Sequence, residues 1–387
     1  MLFIKNGKVV TMIGEIIQRG SIVVKNGKIQ AIGTDLDIPE GANVVDAEGK
    51  IVMPGFIDAH THLGLKESAI QFEGIDHNET SDPITPHMRG IDGLNPMDDT
   101  LKEAYEAGIT SVGAGPGSAN VICGQFAAIK TYGKRVDNMI IKDPIAMKCA
   151  FGENPKRNGK EKGRAPVTRM GISALFRETL YNAVEYKKKL DIAKKDPSKA
   201  PAFDIKMEAL LPVINREIPL KVHAHRADDI FTAIRIAKEF NVRITLDHCT
   251  EGHLIKEELS KEGYDVIVGP SLGHSTKFEL KSKSFVTPGV LSKEGLKVAI
   301  TTDSPVIPLH YLPICAALAV KKGMDRTEAL KAITINAAEI MGISDRVGSL
   351  EVGKDADIVI WDGDPLDIQS LVECTIINGE IVFENKQ

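Results

Sequence analysis

The sequence predicts a (β/α)8 TIM barrel carrying a small β-sandwich module built from both termini. Three observations carry that prediction: strand-rich ends, a middle that alternates strand and helix, and metal-ligand side chains at the ends of the middle strands. At 387 residues the chain has room for one large α/β domain and one smaller module. Residues 1–54 and 346–387 are assigned to the composite module and residues 55–345 to the barrel.

The ends come first. LFIKNGKVV and GSIVVKNGKIQAIG place β-branched residues around Asn-Gly pairs, the residue combination that two-residue hairpin turns require. The last forty or so residues read the same way, in VGSLEVGKDADIVIWDG and CTIINGEIVFENK. Two similar ends around a different middle suggest that they pair with each other.

In the middle, DTLKEAYEAG, SALFRETLYNAVEYKKKLDIAKK, ADDIFTAIRIAKEF and DRTEALKAITINAAEIMG are helical stretches. Short apolar runs alternate with them: ITSVGAG, LKVHAH, RITLDH, DVIVGPS and KVAITTD. Such alternation implies parallel strands joined by helical crossovers. A doubly wound open sheet would want a Gly-rich phosphate loop after its first strand, and GFIDAHTHLG lacks one. Residues 152–170, GENPKRNGKEKGRAPVTRM, read as a long polar loop of the kind that forms lids or binding loops.

Composition narrows the function. Hydrophobic residues at 43% and charged residues at 26% describe a globular chain, and a net charge of -5 offers no basic footprint for nucleic acid. No apolar run approaches the roughly 20 residues that span a bilayer, and MLFIKNGKVV lacks the pattern of a signal peptide. Five scattered cysteines without a CxxC pair suit reduced thiols, so the expected compartment is the cytoplasm. The expected partner is a small-molecule substrate, and assembly as a homo-oligomer is compatible with the sequence.

His60 and His62 close the first middle strand as an H-x-H pair, and alternation along a strand sends both imidazoles to one side. His223 closes LKVHAH, His248 closes RITLDH and Asp303 closes KVAITTD. Any one of these residues alone is more often structural than catalytic. In a barrel of like-directed strands, however, all five converge on one pocket at the C-terminal face. Neutral imidazole and carboxylate are ordinary ligands of divalent metals, which bring the pKa of a bound water from about 15.7 to near 7.

GFIDAHTH, the later His, His and Asp, and GSLEVGKDADIVIWD together resemble the amidohydrolase superfamily over essentially the whole chain. Within it, the chain looks similar to imidazolonepropionase-related and prolidase-like enzymes. The resemblance implies that His60, His62, His223 and Asp303 ligate metal and that His248 is a second-metal ligand or a catalytic partner. It also implies that Asp303 carries a proton from the activated water to the leaving nitrogen. One or two divalent ions, zinc first, are implied. Lys148 in DPIAMKCAFGENP stands where a carboxylated bridging lysine is expected, with Glu153 as its substitute.

The expected reaction is hydrolysis of a linear or cyclic amide, such as a dipeptide or a lactam. Deamination of a heterocycle is the enzyme alternative. Many deaminases of the superfamily place a Glu three residues after the fifth-strand histidine, where this chain has Arg226 after His223 and Asp228 after His225. A catalytically silent scaffold would have shed ligands, and here the set is complete. His225, His274, Arg157 and Arg164 are assigned to substrate, the arginines because a planar guanidinium fork matches a carboxylate. His77, His87, His253 and His310 are read as surface, loop or capping residues, and Cys249 as core packing.

Overall fold

The computed structural model describes residues 1–386. Five strands precede the barrel: β1 (Leu2–Val9), β2 (Ile17–Lys25), β3 (Lys28–Gly33), β4 (Asn43–Asp46) and β5 (Ile51–Pro54). Eight form its wall: β6 (Phe56–Thr61), β7 (Ile109–Ala114), β8 (Ile122–Lys130), β9 (Ile140–Ala150), β10 (Leu220–Ala224), β11 (Ile244–His248), β12 (Val266–Val268) and β13 (Val298–Ile300). Three more follow it: β14 (Ile358–Trp361), β15 (Val372–Ile377) and β16 (Glu380–Glu384).

The ends do pair. β14 lies antiparallel to β5, and the resulting sheet runs β16-β15-β14-β5-β1-β2-β3 with β4 branching from β1. It closes over its own core, where Ile4, Ile22 and Ile29 from the first end meet Ile358, Ile360 and Ile376 from the last. That separate core supports the division at 54/55 and 345/346 that we propose. Asn26-Gly27 and Asn378-Gly379 make the two hairpin turns, all four residues in the left-handed region that this turn type needs. Asn6-Gly7 instead sits inside β1 as an irregularity in its ladder with β2.

The chain enters the barrel through Gly55, where an added Cβ would lie 2.1 Å from Thr110 Oγ1. The barrel strands follow the order β6 to β13, but not all in one direction. β8 runs antiparallel to both β7 and β9, whereas the remaining pairs are parallel. The stretches from Ala114 to Ile122 and from Lys130 to Ile140 are too short for the dozen or more residues of a parallel crossover. The barrel closes between β13 and β6 through side chains: Thr301 Oγ1 donates to the His60 carbonyl (2.7 Å), and the Thr302 N–H and Oγ1 donate to Asp58 Oδ2 (2.8 and 2.7 Å).

The helices follow the sequence with two differences. Asp98 caps the helix Asp99–Glu106 through the Thr100 N–H, and the long helix runs Arg169–Ala193. The stretch DRTEALKAITINAAEIMG forms two helices, Arg326–Ala332 and Ile335–Met341, broken at Thr334. More consequentially, residues 152–170 are not a loop throughout, because Glu153–Glu161 is helical. Tertiary packing overrides its poor helix formers: Asn158 donates to the Ala119 carbonyl (3.1 Å), and Gly159 lets Pro166 approach where a Cβ would clash with the Pro166 carbonyl oxygen. No helix among the described residues is long and apolar enough to cross a membrane.

Candidate metal centre

Strand alternation aims the first ligands. Ile57 and Ala59 of β6 pack outward against Ala337 and Ala338, which turns Asp58 and His60 inward. On β10, Leu220, Val222 and Ala224 pack outward, leaving Lys221 and His223 inward, with His225 next on the same side. On β11, Asp247 and His248 both reach the site although they are consecutive. His248 manages this with a φ of 70°, and Cys249 (45°) and Asp303 (55°) share its left-handed backbone. Non-glycine residues held there carry strain, which proteins concentrate at functional sites.

Two ligand groups result. Donor atoms of His60, His62 and Asp303 lie within 4.8 Å of one another, and so do those of His223, His225 and His248. The groups adjoin, with the His248 ring 4.9 Å from that of His60 and 4.5 Å from that of His223. Lys148 Nζ, fully buried on β9, is 3.0 Å from His60 Nε2 and 3.7 Å from Asp247 Oδ2. Thus the structure brings His60, His62, Lys148, His223, His248 and Asp303 together. It places His223 beside His225 and His248, not in the His60 group where the resemblance put it.

The hydrogen bonds reveal what the groups can hold. His62 Nδ1 meets the Gly115 carbonyl at 2.7 Å and His248 Nδ1 the Gly269 carbonyl at 2.7 Å, so each Nδ1 carries the proton. His60 Nδ1 meets Asp247 Oδ2 at 2.6 Å with the same result. The Nε2 lone pairs of His60 and His62 then face Asp303 Oδ1 at 3.4 and 3.3 Å, and that oxygen is buried without a hydrogen bond. Lys148 Nζ reaches His60 Nε2 (3.0 Å) but not Asp303 or His62, and a buried carboxylate oxygen facing the His62 lone pair is unfavourable unless a further cation lies there. Burial pushes the pKa values of His60, His225 and His248 down and that of His223 to about 4, which keeps the imidazoles neutral and able to ligate. A divalent metal fits this donor set.

Behind His60, Asp247 also lies 3.2 Å from Lys221 Nζ. Against its burial, Lys221 and His60 hold the Asp247 carboxyl well below the usual range. Burial in turn brings Lys221 down to about 8.

Sequence reasoning missed Asp247 and Lys221 behind His60, and two residues beside the histidine rings. Glu279, buried in the segment after β12, sets Oε1 3.7 Å from His223 Nε2, 3.6 Å from His225 Nε2 and 2.6 Å from Lys277 Nζ. His77, read as a surface, loop or capping residue, has its ring 5.5 Å from that of His62. Both lie in segments between barrel strands, where no periodicity aims a side chain. Of the other declined histidines, His253 bonds Thr287 Oγ1 (2.9 Å) and His310 lies 3.4 Å from Glu103 Oε2; Cys249 is core.

Two substrate assignments, His274 and Arg164, change. His274 is exposed, and its neighbour Glu279 points in instead. Arg164 is occupied as a clamp, donating to the Thr80 carbonyl (2.5 Å) and to that of Ser81, so its fork is not free for a carboxylate. Arg157 is exposed on the new helix with only Asn154 Oδ1 at 3.3 Å. Glu153 likewise stands outside both ligand groups; its N–H donates to Glu279 Oε2 (2.9 Å).

A structure of an amidohydrolase from Thermotoga maritima MSB8 superposes with a TM-score of 0.96 at 42% identity, covering 100% of both chains. The chain belongs to the amidohydrolase superfamily. Residues 287–383 match a model described as the amidohydrolase family. The amidohydrolase tasK of Hapsidospora irregularis is 29% identical over 95% of this superfamily member, which spans only 40% of that protein's length. A 5'-deoxyadenosine deaminase of Methanobrevibacter smithii is 26% identical over 95% of this chain and 89% of its own. An imidazolonepropionase of Geobacillus sp. (strain WCH70) is also 26% identical, over 90% and 84%. Hydrolases of this superfamily are metal-dependent and act on small molecules.

Proposed function

We propose that this amidohydrolase cleaves the carbon–nitrogen bond of a small linear or cyclic amide, a dipeptide, an acylated amino acid or a lactam. His60, His62 and Asp303 would hold one divalent ion, for which zinc is our assignment. His223, His225 and His248 would hold a second, with Lys148 as a carbamate between them. The metal would supply an acidified water and polarise the attacked carbonyl. Asp303, facing that space, takes the proton of the attacking water and hands it to the leaving nitrogen, which is a poor leaving group unprotonated. Asp247 keeps His60 in the ligating tautomer. Phe126, its ring 5.3 Å from that of His60, excludes water from one side.

The observation that carries this reading is the buried, unpartnered Asp303 oxygen facing the His62 Nε2 lone pair among neutral imidazoles. Deamination of a heterocycle is a second reading, favoured by Glu279, which supplies beside His223 and His225 the acidic group that Arg226 and Asp228 do not. Five free, buried cysteines support a reducing compartment, and we assign the cytoplasm.

Metal content per chain, measured by mass spectrometry on chelator-free protein, tests the first half of this reading. Release of amine from dipeptides, acyl amino acids and lactams, run beside ammonia release from aminopurines, tests the second. Metal with amide turnover is the expected result. Ammonia from the aminopurines alone would replace amide cleavage with deamination, and protein without metal would overturn both readings.

A further inference from the structure

Helix Glu153–Glu161 begins at the metal centre and leads away from it. Asn154 Nδ2 lies 3.4 Å from His223 Nε2, and Lys156, Arg157 and Lys160 follow along the same short helix. At 1.5 Å per residue, Lys160 is about 9 Å farther along the axis than Asn154. These three cations line a cavity of about 440 Å³ that Glu153, Val167, Phe278 and Glu279 also line. That is the volume range of small-ligand pockets.

The charges in this cavity are not alike. Arg169 and Arg226, which also line it, are neutralised by Asp229 and Asp228 at 2.9 Å, and Glu279 is neutralised by Lys277. Lys156 and Lys160 make no ion pair or hydrogen bond among the described residues, and Arg157 has one contact with an uncharged amide oxygen. Glu153 also makes no ion pair among the described residues, so three unpaired cations face one unpaired carboxylate, and the unpaired charge there is positive in a chain whose net charge is -5. The apolar lining is Phe278, 63% exposed with Lys281 Nζ 4.8 Å from its ring centre, and Val167, 51% exposed.

We propose that this cavity binds a carboxylate carried by the substrate, through Lys156, Arg157 and Lys160, with an apolar body lying against Phe278 and Val167. The inference rests on the amide-cleaving reading and narrows its substrates to carboxylate-bearing amides, such as acylated amino acids or dipeptides with an apolar side chain, ahead of neutral lactams. Charge-assisted bonds to a carboxylate are the strong ones, and three cations on a helix engage an anion at several depths.

The test uses the metal-loaded full chain and two matched probes, 4-phenylbutyrate and its uncharged amide 4-phenylbutyramide, titrated by calorimetry. The wild type should prefer the acid by on the order of tenfold or more. Lys156→Gln, Arg157→Gln and Lys160→Gln together should bring the two probes within about twofold at unchanged metal content. A preference that survives the triple variant would mean that the carboxylate sits elsewhere, on the metal included, and would overturn the proposal. So would equal binding of both probes by the wild type. Inorganic phosphate that binds more tightly than the acid and loses affinity in the variant would overturn the carboxylate assignment. Because binding is read directly, a failure to cleave amides would count against the reaction and not against this cavity.

Discussion

In the first ligand group, His60 and His62 each rest Nδ1 on a fixed acceptor, Asp247 on β11 and the carbonyl of Gly115 just past β7. In the second group only His248 is held that way. His225 leans on the rotatable hydroxyl of Thr250 at 2.7 Å, and His223 Nδ1 is buried with no partner. Their remaining support, Glu279 and Asn154, comes from the segment after β12 and from the helix that lines the cationic cavity. The first group's imidazoles are thus held by acceptors on or just past barrel strands, whereas the second draws part of its support from segments outside the barrel. Support from barrel strands is rigid, while support from outside them comes from elements that a barrel can change without rebuilding its core.

Breaking the first group should have the largest effect. Asp303→Asn removes the proton carrier while keeping its shape, and kcat should fall by about 10²- to 10⁴-fold. Steady-state turnover on the best amide checks this, and near-normal turnover would move the proton transfer to another residue. Lys148→Ala asks whether the two groups share a bridge; metal content should drop by about one ion per chain. Unchanged stoichiometry would leave the groups independent.

Sharper tests act behind the ligands. Asp247→Asn should weaken metal at the His60 group by about 10- to 100-fold, because the carboxylate that fixes the imidazole is lost. Competition with a chelator reads this, and the second site should keep its affinity. Glu279→Gln should weaken the second site alone, by less than about tenfold, since a carboxylate already paired with Lys277 restrains less. Equal effects of these two variants would erase the distinction between the groups. The smallest effect on chemistry belongs to Arg164→Gln. Losing its bonds to the carbonyls of residues 80 and 81 should cost about 1–3 kcal/mol of stability, seen as a lower urea midpoint. A large rise in KM without that loss would return Arg164 to the substrate.

His60, His62 and His223 were legible because an alternating strand has only two sides, and a histidine at its end shows which side it takes. His225 was legible in direction but not in partnership: nothing local says that its ring stacks on that of His248, 4.7 Å away across the sheet. His248 itself breaks the alternation, as Asp247 and His248 reach one site only because the backbone turns left-handed there. Glu279 carried no signal, lying in a one-turn 3-10 helix (Phe278–Leu280) after β12, and His274 in the same segment is exposed.

The sequence by itself determined the barrel, the pairing of the two ends and the histidines and aspartate at strand ends, because hydrophobic periodicity and turn chemistry are local and repeat along the chain. Tertiary structure alone decided the reversed β8, the helix at 153–161 and the company each histidine keeps. Those depend on how short a connection must be before a strand turns back, on a carbonyl that only Gly159 can admit, and on distances between residues far apart in the chain.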